Sequence, residues 1–245
     1  MSYEPIDNLN GYTCVVTGAS GGVGFSLVER FASLGARVVA ISRSDISDRI
    51  KTIDNQQLNH VSFMADVRDK ESLEQIRDSI GSCDILVNSA GSSKNIPHNN
   101  VDMLSDEYFD EILTNNLRSV FTTIRTFTPL LKCSNNGLII NISSAAAIRT
   151  GGSNIAYAAA KAGVESMTKN LALSLAPMRV MSICPGAMDT GFLDLPKEFY
   201  DRVSSVTPLK RNPTVDDVAN TVEALCTTMR YTTGSTILLD GGRLL

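Results

Sequence analysis

Residues 138–142 read Leu-Ile-Ile-Asn-Ile, a run that puts apolar side chains on both faces of any strand it forms. Such a strand needs helices over both faces of its sheet, the situation of parallel sheets built from strand–helix–strand units. With residue 137 included, this run is one of seven; the others lie at 13–17, 37–42, 61–65, 85–88, 179–184 and 236–239. Longer amphipathic stretches separate them, at 22–34, 70–80, 105–131, 154–175 and 215–226. The alternation predicts an α/β fold: a doubly wound, seven-stranded parallel sheet flanked by helices. No Gly/Ser-rich linker, repeat or low-complexity tract interrupts it, so one domain is expected over 1–245. Segment 191–210 breaks the rhythm, with Pro196 and Pro208 in a mixed apolar and charged composition. It follows the sixth strand, and ligands of open α/β sheets bind beyond the carboxyl ends of strands. It is therefore read as a substrate lid, with an ordinary surface connection as the alternative.

Composition narrows the function. A net charge of -4 and a pI near 5.2 leave no basic footprint for nucleic acid. The apolar runs are far shorter than a membrane span requires. Residues 1–10 are polar and carry acids, unlike a secretory or transit segment. Five cysteines are scattered without close pairing and read as reduced packing residues, which points to a cytoplasmic protein. Two histidines, His60 and His98, give little material for a metal site or a Ser-His-Asp triad, and no metal is expected.

The first strand runs straight into Thr17-Gly18-Ala19-Ser20-Gly21-Gly22-Val23-Gly24, and a helical pattern follows. Glycine permits a tight turn and a close backbone approach to a pyrophosphate, and the helix N-terminus offers free N–H groups. In its strand–turn–helix setting the motif predicts a dinucleotide-binding Rossmann fold. The second strand ends Ile41-Ser42-Arg43. An acid there would bind the ribose 2′-OH of NAD, whereas a basic residue receives the 2′-phosphate of NADP. Ser42 stands in the acid's place and Arg43 follows, so NADP(H) is favoured over NAD(H). Asp45 and Asp48 nearby, and the absence of a basic residue within the turn, keep NAD(H) open.

Tyr157 and Lys161 are four residues apart, on one face of a helix, and Ser144 precedes Tyr157 by thirteen. A phenol beside an ammonium forms a proton-transfer pair in which the cation is expected to lower the tyrosine pKa. A hydroxyl arriving from a strand end would polarise a carbonyl beside them. Asn88 at the end of the fourth strand suits either a ligand site or a tie between adjacent strand ends.

Taken together, these motifs resemble the classical short-chain dehydrogenases/reductases. Gly18, Gly22 and Gly24 match the pattern TGxxxGxG, and Asp66-Val67 resembles the pair that contacts adenine. Asn88-Ser89-Ala90-Gly91 resembles NNAG with one asparagine replaced, and Pro185-Gly186-Ala187-Met188-Asp189-Thr190 resembles PGxxxT. Tyr231 to Gly234 and Leu239 to Gly242 match the family's closing strand and turn, so the likeness runs from about Leu9 to Gly242. It implies that Ser20, Gly21, Val23, Ala90, Gly91, Pro185 and Gly186 join the glycines and Ser42, Arg43, Asp66, Val67 and Asn88 around the cofactor. Met188 through its backbone and Thr190 through its hydroxyl would contact the nicotinamide carboxamide. The resemblance selects Ser144 over Ser143 as the hydroxyl on the substrate carbonyl, Tyr157 as the proton donor, and Lys161 as the residue that tunes Tyr157 and binds the nicotinamide ribose. It assigns Asn116 to a water relay, with Asn115 as the register alternative.

The implied reaction is hydride transfer between nicotinamide and a carbonyl or secondary alcohol, with the protein supplying orientation and electrostatics. Segment 190–211, with Pro208-Leu209-Lys210-Arg211, resembles 3-oxoacyl-acyl-carrier-protein reductases, which suggests a 3-oxoacyl or similar small ketone. Pro129 and Leu173 stand where carrier-binding members have arginines, so a polyol, sugar or secondary-alcohol dehydrogenase remains the alternative, and a non-catalytic NADP-binding sensor a remote one. Phe192, Leu193, Leu195, Phe199 and Tyr200 would give the lid an apolar face, and His98 stands near the expected pocket mouth. The resemblance also implies a homotetramer or homodimer, since relatives are mostly tetramers with two-fold interfaces on the two long helices.

Overall fold

In the computed structural model, which describes residues 3–53 and 55–245, the seven apolar runs form one parallel sheet. Positions 1, 2 and 54 of the expected domain lie outside the described residues. The strands are β1 (Thr13–Thr17), β2 (Arg37–Ser42), β3 (Val61–Met64), β4 (Ile85–Asn88), β5 (Leu138–Ile142), β6 (Arg179–Pro185) and β7 (Thr236–Leu239). The helices are α1 (Gly22–Ser33), α2 (Ser47–Ile50), α3 (Lys70–Ile80), α4 (Asp106–Leu113), α5 (Ser119–Cys133), α6 (Ile155–Ser174), α7 (Lys197–Val206) and α8 (Val215–Thr227).

The sheet order is β3-β2-β1-β4-β5-β6-β7. Winding therefore reverses between β1 and β4, and a crevice opens there at the carboxyl ends of the strands. Alternate side chains feed two apolar layers. Cys14, Val16, Val38, Val87 and Ile140 pack with Phe31 of α1 and Val222 of α8. Val15, Val39, Leu86 and Ile139 pack on the other face with Leu73 of α3, Phe127 of α5 and Val164 of α6. This burial on both faces is why the strand sequences lack a polar stripe.

The helix starts follow their caps. Asp69 accepts from the amides of Glu71 and Ser72 at α3, and Asn154 accepts from the amide of Tyr157 at α6. Thr214 and Asp217 close a reciprocal capping box at α8. Three features depart from the sequence reading, one of them α7, which forms within the segment read only as a lid. The helix expected over 105–131 is split into α4 and α5 by a π-helical turn, Thr114–Arg118. Apolar periodicity continues through it, which is why the pattern read as one helix. The short α2 was not anticipated, because four residues carry no periodicity.

Candidate active site

The Gly-rich turn leaves β1 with Gly18 at φ +69°, where a Cβ would lie 2.7 Å from the Ala90 nitrogen. At Gly24 a Cβ would stand 2.1 Å from the Gly18 carbonyl oxygen, so only glycine lets α1 start this close to the turn. Gly24 is buried and serves this packing rather than lining the cleft. The residue preceding α1 is Gly21, which provides no side-chain cap, and nothing lies within 4 Å of where its Cβ would be. An uncapped helix start facing open space, with Gly18, Ser20, Gly21, Gly22 and Val23 along it, fits a pyrophosphate. The turn is braced by Thr17, whose Oγ1 accepts from the amides of Ser89 and Ala90 at 3.2 and 3.3 Å.

Ser42, Arg43, Asp66, Val67, Ala90, Gly91, Pro185, Gly186, Met188 and Thr190 all line the same cleft, which has a volume of about 570 Å³. Asn88 does not. Its amide donates to Asn141 Oδ1 at 2.9 Å, and Asn141 donates to Thr168 Oγ1 at 2.9 Å, tying β4 to β5 and α6. Of the two roles open to Asn88 in the sequence, the structure places it in the strand tie. His98 also lies outside the cleft lining.

Two residues near the cofactor end, Arg68 and Arg49, are not found from sequence, and Asn115, the register alternative to Asn116, joins them. Arg68 forms an ion pair of 2.6 Å with Asp66, and its hydrogen bonds hold that carboxyl below the usual carboxylate range, with Arg43 adding a smaller pull. Asn115 accepts weakly from Arg68 at 3.4 Å and lines the cleft. Arg49, on α2, donates to the Ser20 carbonyl at 2.6 Å and stacks 3.4 Å over the Phe25 ring. The turn has no basic residue of its own, but the fold brings one to it from 29 positions away.

The catalytic candidates meet at the carboxyl end of β5. Ser144, Tyr157 and Lys161 line the cleft together. Ser144 stands beside the Tyr157 hydroxyl and lowers its pKa, and it accepts from the Ala146 amide at 3.1 Å. Lys161 Nζ donates to the Ile142 carbonyl at 2.9 Å and sits 5.6 Å from the Tyr157 ring centre. Burial pushes the Tyr157 phenol up to about 12, with Ser144 opposing. The expected lowering by Lys161 is not found. The same burial pulls Lys161 down to about 8, so desolvation disfavours both charged forms at once. Cys184 and Glu165 push Lys161 the other way. Glu165, unnoticed in the sequence, is buried one turn beyond Lys161 and accepts from Ser182, Cys184 and Thr236.

Asn116 sits in the π turn and is fully buried behind the cleft. Its amide donates to the carbonyls of Ser92 at 2.9 Å and Ile112 at 3.0 Å, and its Oδ1 accepts from the Ser92 amide at 3.3 Å. A Cβ on Gly91 would lie 2.7 Å from Asn116 Oδ1 and 3.9 Å from Lys161 Nζ, so both polar groups flank one glycine. From the π turn this side chain reaches the Gly91–Ser92 loop after β4, and such turns are frequent at functional sites. Across the cleft, Phe192, Leu193, Leu195, Phe199 and Tyr200 supply an apolar wall, with the Phe192 ring 5.9 Å from that of Tyr157.

The family model described as enoyl-(acyl carrier protein) reductase matches residues 18–243. The chain belongs to the classical short-chain dehydrogenase/reductase family. A protein of Streptomyces violaceoruber described as ketoacyl reductase 2 of granaticin polyketide synthase is 34% identical over 237 residues, 93% of this chain and 94% of that one. The 3-oxoacyl-[acyl-carrier-protein] reductase FabG of Thermotoga maritima is 30% identical, over 96% of this chain and 98% of its own. A short-chain dehydrogenase from Leptospira borgpetersenii, solved with bound NAD+, superposes with a TM-score of 0.86 at 28% identity, covering 98% of this chain and 95% of that one. This short-chain dehydrogenase/reductase is accordingly an oxidoreductase acting on a CH–OH/C=O pair with a nicotinamide cofactor. Among its described residues no helix is long and apolar enough to cross a membrane. Nor, among them, does any group of three or more His, Cys, Asp or Glu side chains form a candidate metal site.

Proposed function

We propose that the protein is an NADP(H)-dependent reductase of a 3-oxoacyl or similar small ketone. The observation that carries the reading is that Ser144, Tyr157 and buried Lys161 line the same end of one cleft, whose other end is cationic. The cofactor supplies hydride when bound. The side chains do the rest: Ser144 donates to the carbonyl oxygen, Tyr157 delivers the proton, and Lys161, protonated, stabilises the phenolate left behind. Asn116 and the Gly91–Ser92 segment hold the water that refills the pair. Segment 191–210, with α7, closes over the substrate and keeps bulk water out.

The preference for NADP(H) is supported by Ser42 in the acid's place, by exposed Arg43 in the cleft lining and by Arg49 held against the turn. A guanidinium directly after β2, with a second held against the turn from α2, suits a phosphate far better than a hydroxyl. The ketoacyl reductase relatives favour the 3-oxoacyl class, and pairing of copies through α5 and α6 into a dimer or tetramer fits the same family. The test is thermal stabilisation by NADPH and by NADH across a concentration series, for wild type, Arg43→Ala and Arg49→Ala. A larger NADPH shift in wild type that shrinks in each variant supports the assignment. Equal shifts, or a larger NADH shift, overturn it.

A further inference from the structure

Two arginines that the chemistry above does not use line the substrate half of the cleft. Arg149 lies five residues beyond Ser144, where its amide donates to the Ala145 carbonyl at 3.1 Å and closes the short turn after β5. Arg243 lies in the C-terminal turn after β7, and its Nη1 donates to the Val203 carbonyl of α7 at 3.2 Å. Both share the cleft lining with Ser144, Tyr157 and the apolar wall of 192–203. Both are half-buried, and neither forms an ion pair among the described residues.

Their partners are backbone carbonyls: Val203 for Arg243, and Thr150, at 3.1 Å, for Arg149 Nε. A guanidinium has five N–H donors in a planar fork, so most of this capacity is unspent. The acids that line the cleft are Asp66 and Asp240. Asp66 is at the cofactor end and belongs to Arg68. Asp240 is beside Arg243, but its two oxygens already accept from the amides of Gly242 at 2.9 Å and Leu244 at 2.8 Å. Burial and then the charge of Arg149 draw Arg243 below the usual arginine value, with Asp240 opposing. Two like charges thus face one cavity without an acid committed to either. An anion between them would remove the repulsion and use the free donors.

We propose that Arg149 and Arg243 form an anion subsite, and that the carbonyl substrate carries a carboxylate or a phosphate that docks there. The inference rests on the reading of the site as a ketone reductase and names the substrate class within it. The apolar wall takes the chain between the carbonyl and the anion. The subsite joins three elements, the loop after β5, the C-terminal turn and α7, so that an anion bound there also fixes α7 over the cleft.

The test compares three 3-oxo compounds with NADPH: 3-oxobutanoate, which carries a carboxylate, acetoacetyl-coenzyme A, which carries phosphates, and neutral ethyl acetoacetate. Each is measured with wild type, Arg149→Gln, Arg243→Gln, the double variant and the two Lys replacements, with NADPH affinity as the folding control. The double variant should lose at least about tenfold in kcat/KM on the anionic substrate, as expected for charged hydrogen bonds. It should change by less than about twofold on the ethyl ester, and Lys should restore part of the loss. Which anionic substrate shows the loss identifies carboxylate or phosphate. Equal losses on ester and anion, or no loss on either anion, overturn the subsite while leaving the reductase reading intact. If wild type turns over none of the three, fluorescence titration of the NADPH complex with the two anions decides. Arginine-dependent binding then upholds the subsite and refutes the ketone-reductase reading; binding that ignores the arginines, or no binding, overturns the subsite.

Discussion

Replacing Glu165 by Gln should move the pH at which reduction fails. Glu165 lies four residues after Lys161 on α6, which places the two Cβ atoms about 6 Å apart. Its oxygens accept from Ser182, Cys184 and Thr236, two of which are hydroxyls that can turn to suit an amide. The substitution therefore removes charge with little change of shape. Taking that spacing as the charge separation, with an effective dielectric near 20, the lost attraction is about 2.8 kcal/mol at most, or about 2 pH units. Lys161 already stands at about 8, because burial outweighs Cys184 and Glu165. Reduction needs the ammonium, so wild-type kcat/KM at saturating NADPH should fall as pH rises through its upper limb, and in Glu165→Gln that limb should lie ~1–2 units lower. At a pH well below both limbs the two proteins should be nearly alike. The assay is NADPH oxidation with a 3-oxo ester from mildly acidic to alkaline pH. A uniform fall in rate with an unmoved limb would show that Glu165 only braces β6 and β7 and would refute the electrostatic role.

Three further outcomes follow from the same geometry. Gly24→Ala forces a Cβ against the Gly18 carbonyl, whose oxygen would lie at 2.1 Å, and should cost about 1–3 kcal/mol of stability and weaken NADPH binding, read by denaturant unfolding and by titration. Asn116→Ala removes both Asn116 hydrogen bonds to Ser92 and should cost about 1–3 kcal/mol, with a fall in kcat larger than any change in NADPH affinity. Asp217→Asn breaks both the capping box and the Arg211 pair, and should cost about 0.5–2 kcal/mol at neutral pH. The Arg211 hydrogen bond holds the Asp217 carboxyl well below the usual range, so its stabilisation is full above the unfolded carboxylate pKa and fades as pH falls below it. Melting temperatures of wild type and Asp217→Asn should accordingly converge in acid.

What the sequence made legible is local. Strands such as Leu138–Ile142 declare themselves because both faces are apolar, and the turn at 17–24 declares itself because only glycine permits its approach distances. Tyr157 and Lys161 meet through helix periodicity alone. What stayed hidden depends on chain segments brought together by the fold. Arg49 reaches the turn from a four-residue helix with no pattern of its own, and Glu165 finds its partners on β6 and β7. The π turn at Asn116 leaves the apolar periodicity unbroken, so its effect on side-chain direction cannot be read from spacing. The Tyr157 shift runs opposite to the sequence expectation for a physical reason: spacing reports a neighbouring cation but not the burial that raises the phenol.

The central claim, that Ser144, Tyr157 and Lys161 carry out reduction on a bound nicotinamide, is tested most directly by one comparison: single-turnover oxidation of NADPH by a 3-oxo ester in wild type and in Tyr157→Phe, with NADPH affinity measured on both. The account predicts a rate at least about a hundredfold lower in the variant, the scale of a lost general acid, with affinity unchanged. A variant that keeps its rate would contradict it.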